Sequence, residues 1–300
     1  MNNPSFIGVA YILAAAFLWS TSGLFIKKVP VDPLFITAAR SAIAGITLLP
    51  FLKSQKIEFS KPLLGYILAF AWMVSSFVTA NKLTAAANVI ALQYTAPLYL
   101  FIYTILTKKE KLSLRNAVPM FFIVLGISLF LMEPSQGSSS LGNLLALSSG
   151  IAMAAATFFL HQLRFSSGIM VVSLSNLSTA LLVLPFIPSL KEGLTLHWTG
   201  WLSLFYLGAV QIGLANVLFT KGLRFVSVLN ASILSLTEAV YNPIWVFLFL
   251  GERPSVYSLI GGIVILVAVA VDIKLRSGQE KTKVENRAED CNTVFSKMPS

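Results

Sequence analysis

Residues 82–113 read KLTAAANVIALQYTAPLYLFIYTILTKKEKLS, and residues 224–255 read RFVSVLNASILSLTEAVYNPIWVFLFLGERPS. The two stretches align without a gap when the numbering is shifted by 142 residues, from 82 to 224. Identical pairs include Asn88 and Asn230, Leu92 and Leu234, Thr95 and Thr237, Tyr99 and Tyr241, Glu110 and Glu252, and Ser113 and Ser255. Because polar residues rarely coincide by chance within apolar sequence, the alignment indicates an internal repeat.

The composition of the chain is that of a membrane protein. Hydrophobic residues make up 56% and charged residues 11% of the 300 residues, and the mean hydropathy is +0.79. A helix needs roughly 20 apolar residues to cross about 30 Å of hydrocarbon. That rule predicts an all-α polytopic protein with ten spans, at residues 6–26, 34–52, 62–80, 85–106, 115–132, 141–162, 169–189, 199–220, 226–249 and 257–275. The break between the third and fourth spans consists only of NKLT (81–84), and the break between the eighth and ninth consists only of KGLRF (221–225).

The spans predict two halves of five helices. Residues 1–133 form the first repeat, 134–140 a linker, 141–275 the second repeat, and 276–300 a polar, disordered cytoplasmic tail. Since five is odd, the second half enters the membrane inverted, the architecture of many secondary transporters, whose substrate site lies where the halves meet. No Lys or Arg precedes the first apolar run, so we expect a retained span and not a signal peptide.

Charge and motifs exclude several classes of function. The net charge is +10, but the basic residues cluster between apolar runs, which favours contact with membrane lipid over nucleic acid. Their bias towards loops on the side of the termini predicts that both termini are cytoplasmic in the inner membrane. One cysteine, Cys291, and two histidines, His161 and His197, predict no disulfide and no metal site. No phosphate-binding loop, cofactor motif or nucleophile–base set is recognisable, so neither ATP hydrolysis, a cofactor nor enzymatic activity is predicted.

Four short motifs resemble a known family. They are FLWSTSGLFIKK (17–28), AAR ending at Arg40, ALQYTAPLYL (91–100) and LGERPS (250–255). In this order they resemble the drug/metabolite transporter superfamily, specifically its EamA-type ten-helix exporters. The chain departs from that pattern in KKEKLS, where the family commonly has Gly before Glu, and in TEAVYNP, where Glu-Pro is usual. The resemblance implies the ten-helix fold, cytoplasmic termini and export of small metabolites such as amino acids.

Two charged residues, Glu238 and Arg40, lie well inside predicted spans. Glu238 is about 18 Å into the ninth span at ~1.5 Å per residue, where a carboxylate costs about 2.5 to 3.5 kcal/mol unless it has a partner or a cavity. It is a candidate for protonation or for binding a substrate ammonium; the alternative is an ion-paired or neutral Glu that holds helices together. Arg40, about 10 Å into the second span, could bind a substrate carboxylate, but snorkelling or capping of helix ends is favoured.

Polar and aromatic residues repeat on one face of the fourth and ninth spans. The fourth has Asn88, Leu92, Thr95, Tyr99 and Tyr103, and the ninth has Asn230, Leu234, Thr237 or Glu238, Tyr241 and Trp245. Such stripes suit a shared cavity, although hydrogen bonds between helices explain them equally. The residues predicted to bind substrate are Trp19, Ser20, Arg40, Trp72, Tyr94, Thr95, Tyr99, Thr157, Gln211, Tyr241 and Asn242. Pro97 and Pro243 predict kinks in these two spans.

The sequence therefore predicts a secondary transporter for small polar metabolites, with amino acids as candidates. It would work by exchange or proton coupling, and the direction expected is export. One alternative is uptake of an organic cation such as choline, held by aromatic side chains near Glu238. The other is a membrane-embedded enzyme or structural protein without a central polar cavity.

Overall fold

The computed structural model describes residues 4–51, 59–108, 114–132, 139–163, 168–226, 228–272 and 274–275. The predicted tail, including Cys291, and most of the predicted linker lie outside these ranges. The described chain is helical and contains no strand. We number the apolar helices α1 (Phe6–Lys28), α2 (Pro33–Phe51), α3 (Lys61–Leu83), α4 (Ala86–Thr107), α5 (Leu114–Leu131), α6 (Ser140–Leu160), α7 (Gly168–Phe186), α8 (Trp198–Gly222), α9 (Ala231–Leu250) and α10 (Val256–Asp272).

These ten helices agree with the ten predicted spans. Eight of them are long and apolar enough to cross a membrane, and α5 and α10 contribute shorter apolar segments. The predicted breaks at NKLT and KGLRF are also confirmed, because α3 ends at Leu83 before α4 begins, and α8 ends at Gly222 before α9 begins. The protein is thus an all-α multi-pass membrane protein.

Local sequence signals set several helix ends. Asp32 accepts a hydrogen bond from the backbone N–H of Leu34 at 2.8 Å, and Pro33 begins α2. Gly251 ends α9 in the left-handed conformation, with φ of 70°. Inside the helices, hydroxyl groups donate to the carbonyl four residues earlier, as Thr47 does to Ile43 at 2.8 Å. Polar side chains are satisfied in this way without leaving their own helix.

The packing relates the two halves by a pseudo-twofold axis. Helix α3 packs along α6, and correspondingly α8 packs along α1; α4 contacts α6, and α9 contacts α1. Helices α2 and α7 are equivalent in the two halves and pack against each other. For these helices, each contact therefore has a counterpart between the equivalent helices of the other half. Because five successive crossings separate equivalent helices, the second repeat runs in the opposite sense to the first.

Glycine allows the closest of these approaches. A Cβ added to Gly222 in α8 would lie 2.6 Å from the side chain of Ile12 in α1, and one added to Gly8 would lie 2.6 Å from Phe225. Small residues at such crossings let helix backbones approach each other in lipid, where van der Waals packing contributes much of the association energy.

Candidate functional site

Helices α4 and α9 are interrupted at equivalent positions. Helix α4 breaks at Tyr94 and Thr95, and α9 breaks at Leu236, the residue that the repeat aligns with Tyr94. After each break a threonine hydroxyl donates to the carbonyl three residues earlier, Thr95 to Leu92 at 2.6 Å and Thr237 to Leu234 at 2.7 Å. The repeat in the sequence is therefore a repeat in backbone geometry.

Proline explains only one of the two breaks. Pro97 follows the break in α4 by less than one turn and removes a backbone N–H from it. Pro243, in contrast, lies inside the continuous segment Thr237–Leu250, so α9 is interrupted at Leu236 and not at its proline.

A cavity of about 560 Å³ lies between the two broken helices. Among the described residues, every apolar helix except α5 contributes to its wall. Its polar and aromatic lining comprises Trp19, Ser22, Arg40, Tyr66, Phe70, Phe77, Gln93, Tyr94, Thr157, Gln211, Asn216, Phe219, Ser232, Ser235 and Glu238. A chamber of this size and mixed lining, placed between repeats, fits a small polar molecule.

Glu238 and Tyr94 connect the two halves at the wall of this cavity. The Tyr94 hydroxyl donates to Glu238 Oε2 at 3.1 Å and lies 3.4 Å from the backbone oxygen of Ser235. Tyr94 belongs to the break in the first half, and Glu238 follows the break in the second. The carboxyl group thus lies where the two interrupted helices meet.

Arg40 lines the same cavity, and its side chain is largely unsatisfied. The residue is 5% exposed, and within the described part of the chain Nε and Nη1 have no hydrogen-bond partner. Its backbone approaches α8 at Gly208, where an added Cβ would lie 2.7 Å from the Arg40 carbonyl oxygen. Gly208 and Gln211 belong to a π-helical segment, Tyr206–Leu214, a deformation that often occurs at functional sites.

Gln211 is also only partly satisfied. Its Nε2 donates to the carbonyl of Trp19 at 3.4 Å, whereas Oε1 is buried and has no partner among the described residues. Two residues of the cavity lining therefore carry buried polar atoms without a partner in the described part of the chain, two donors on Arg40 and one acceptor on Gln211.

The two ends of the helix bundle differ. We call the end where α1 begins and α10 finishes the terminal end, and the other the opposite end. At the opposite end Lys27 forms a 2.6 Å ion pair with Glu252, and Glu252 also accepts from the backbone N–H of Ala86 at 2.9 Å. Lys82 donates to the carbonyl of Val29 there. Glu252 thus ties α1 and α4 of the first half to the α9–α10 connection of the second, and Lys82 ties α3 to the α1–α2 connection within the first half.

A second polar cluster lies beneath the ion pair. Asn88 accepts from Ser258 at 2.6 Å and donates to Asn143 at 3.3 Å, and Thr84 donates to Asn143 at 2.9 Å. This cluster joins α4, α6 and α10, so Asn88 links three helices. At the terminal end, by comparison, Phe219 and Ser232 line the cavity within about one turn of the ends of α8 and α9.

Six of the predicted site residues line the cavity: Trp19, Arg40, Tyr94, Thr157, Gln211 and Glu238. Three others lie behind the wall. Ser20 accepts from Trp245 at 2.9 Å, Asn242 donates to Ser22 at 3.2 Å, and Thr95 is fully buried against its own helix. Two of these contacts also join α1 to α9.

The remaining predicted residues are not part of the cavity lining. Trp72 is 58% exposed and Tyr241 is 41% exposed on the outer surface of the bundle. Tyr99 lies 3.5 Å from the Thr95 hydroxyl, one turn beyond the break.

The sequence did contain a signal for residues that the prediction left out. Gln93 and Ser235 occupy equivalent positions of the repeat, and both line the cavity. They are polar but not identical, so a search for identical pairs passes over them. Tyr66 and Ser22 lie outside the repeated stretch and had no comparable signal.

Comparison with known proteins agrees with this architecture. A family model described as the EamA-like transporter family matches residues 6–132 and 140–272. The chain belongs to the EamA-like transporter family. The two matched segments correspond to the two five-helix halves, and the predicted membership of the drug/metabolite transporter superfamily is confirmed.

Relatives of this EamA-like protein are named as transporters. An uncharacterized transporter of Archaeoglobus fulgidus is 26% identical over 266 residues, covering 88% of this chain and 95% of that protein. Human solute carrier family 35 member G1 is 24% identical over 299 residues, covering 92% and 81%. A crystal structure with 19% sequence identity superposes with a TM-score of 0.61 over 88% of this chain and 95% of that chain, which shows the shared fold.

Proposed function

We propose that this EamA-like protein is a secondary transporter that moves small polar metabolites, with amino acids as candidates, through the central cavity by alternating access. The observation that supports this most is the position of the cavity, between two broken helices that are equivalent in the repeat. Near-equivalent halves can rearrange about such a site without a dedicated motor. Of the residues predicted to bind substrate, we assign contacts to Trp19, Arg40, Tyr94, Thr157 and Gln211.

The described conformation has one closed end. The ion pair and the polar cluster tie the opposite end together, whereas cavity-lining residues reach the outer turns at the terminal end. With both termini cytoplasmic in the inner membrane, as the distribution of Lys and Arg predicts, this is an inward-facing arrangement. The transport cycle then requires the Lys27–Glu252 contact to break when the cavity opens outward. Export is the direction that the family resemblance implies.

Glu238 is the proposed coupling residue. It lies near the middle of α9, and a charged carboxylate at that depth is costly without compensation. Tyr94 compensates for the charge with one hydrogen bond across the two halves. Protonation of Glu238 would weaken that bond because a neutral carboxyl accepts less strongly. A proton can thereby shift the balance between the two arrangements of the halves.

A specific observation also favours the alternative of an organic cation. Aromatic side chains line the same cavity as Glu238, among them Trp19, Tyr66 and Phe219. They could form a cage for a quaternary ammonium group. Against this stands Arg40, whose positive charge lines the same cavity. We therefore rank cation uptake second.

Counterflow in proteoliposomes tests the proposal. Purified protein is reconstituted, loaded with one unlabelled metabolite at a time and presented with the labelled form, over a panel of amino acids, organic acids and choline. Saturable accumulation of a polar metabolite supports the proposal, and accumulation of choline alone supports the alternative. If no solute moves while the protein remains folded, transport of small metabolites is excluded. Glu192→Gln, at an exposed position outside the spans, is the matched control for Glu238→Gln.

A further inference from the structure

Arg40 is a charge without an ionic partner among the residues that the structure describes. Nε and Nη1 have no partner within the described ranges, and the ion pair between Lys27 and Glu252 lies elsewhere, at the opposite end. A guanidinium pairs with a carboxylate through one of two edges, and each edge includes one of these two nitrogens. Neither edge is therefore fully used by the protein.

An unpaired guanidinium inside a membrane bundle is energetically costly. Buried charges are normally paired with an opposite charge or satisfied by hydrogen bonds. Snorkelling does not resolve the problem here, because the side chain is 5% exposed and lines an internal cavity. Capping of a helix end does not resolve it either, since two of its nitrogens lack acceptors. An anion that enters the cavity would compensate for the charge.

The nearest carboxyl group in the wall does not serve as that anion. Glu238 lines the same cavity but interacts with Tyr94, and no ion pair joins it to Arg40 among the described residues. The cavity thus has a basic group and an acidic group that are kept apart. Gln211 adds an unused acceptor, Oε1, to this arrangement.

We propose that the cargo carries a carboxylate and that Arg40 binds it. This inference rests on the proposed transport function and narrows it to small carboxylates, including amino acids. Arg40 is then a specificity-determining residue, and Gln211 accepts a hydrogen bond from an amino or hydroxyl group of the same solute. Choline and other solutes without an anionic group bind poorly because they leave the guanidinium unpaired.

Thermal unfolding of the purified full chain tests Arg40 without knowledge of the cargo. Leucine, lactate, succinate and aspartate are each compared with the corresponding amide. We expect at least one carboxylate at saturation to raise Tm by roughly a few degrees, as ligand linkage predicts, and its amide to have little effect. Arg40→Gln abolishes that shift and Arg40→Lys retains part of it. Arg224→Gln, at an exposed arginine of the α8–α9 connection, leaves the shift unchanged.

The unliganded variant gives a second, independent readout. Because Arg40→Gln removes an unpaired buried charge, we expect its Tm without ligand to equal or exceed that of the wild type. A purely structural arginine would give a fall in Tm instead, and that result overturns the proposal. Equal shifts by carboxylates and amides, or no shift by any carboxylate, also overturn it.

Counterflow distinguishes failure of the Arg40 proposal from failure of the proposed transport function. If amides and amines are exchanged as fast as carboxylates, the protein is a transporter but Arg40 does not select the cargo. If nothing is exchanged, the transport function itself is wrong.

Discussion

Lys27 Nζ lies 2.6 Å from Glu252 Oε2, and this ion pair joins the end of α1 to the connection between α9 and α10. The other carboxylate oxygen of Glu252 accepts the backbone N–H of Ala86, at the start of α4. One side chain from the second half therefore both neutralises a lysine of the first half and caps a helix of the first half. A contact of this kind stabilises one arrangement of the halves over another.

Removal of Glu252 should open the opposite end more often. Glu252→Ala loses a helix cap worth about 1 kcal/mol and an ion pair worth up to about 1 kcal/mol, so the opening equilibrium should rise by roughly five- to thirtyfold. The measurement is the rate at which a membrane-impermeant maleimide, added at the opposite end, labels Ser22→Cys in a chain with Cys291→Ser. Glu192→Ala, in a connection at the same end, should leave the rate unchanged. An equal labelling rate in Glu252→Ala would show that the ion pair does not close this end.

Substitution of Glu238 by Gln should remove the dependence of transport on pH. The amide cannot take up a proton, but it can still accept the hydrogen bond from Tyr94. We expect counterflow of a metabolite to continue while its acceleration by a pH gradient disappears. Transport is measured across a series of external pH values, with Glu238→Asp as the variant that keeps a titrating group. A pH profile that Glu238→Gln leaves unaltered would eliminate coupling at this residue.

The helices could be predicted from the sequence because a single physical constraint sets them. The length and apolarity needed to cross the bilayer placed all ten, and short polar breaks such as NKLT separated them correctly. The repeat around Tyr94 and Leu236 also predicted which helices are equivalent. The repeat did not predict the role of each residue in an equivalent pair. Both Tyr94 and Leu236 line the cavity, but only Tyr94 carries a hydroxyl group.

The site was only partly predictable, because helix rotation decides which face meets the cavity. Trp72 and Tyr241 look like polar aromatic candidates in sequence, yet both lie on the outside, where indole and phenol groups suit the membrane surface. Tyr66 and Gln93 face inward without any pattern of identical residues. The unpaired state of Arg40 depends on three-dimensional distances to every neighbour, and no sequence pattern reports those distances.

Loss of the Tyr94 hydroxyl should weaken the contact between the halves. Tyr94→Phe removes hydrogen bonds to Glu238 and to the carbonyl of Ser235, and a hydrogen bond to a charged group contributes about 1.5 to 3 kcal/mol. We expect an altered pH dependence of counterflow together with a lower Tm. A double-mutant cycle of Tyr94→Phe, Glu238→Gln and the variant with both changes isolates the interaction energy between the two side chains. Additive effects on both readouts would show that the two side chains act independently.

A methyl group at Gly208 should disturb the cavity through α2. Its Cβ would lie 2.7 Å from the Arg40 carbonyl oxygen and 2.6 Å from Ile43, so α2 and α8 must separate at the residue that we assign to the cargo. Overpacking of this kind destabilises proteins by about 1 to 3 kcal/mol. We therefore expect Gly208→Ala to lower Tm and to raise the solute concentration needed for half-maximal counterflow. Gly168→Ala is the matched control, since its Cβ meets nothing within 4 Å. If both variants behave like the wild type, close approach of α2 and α8 at Arg40 is not required for binding.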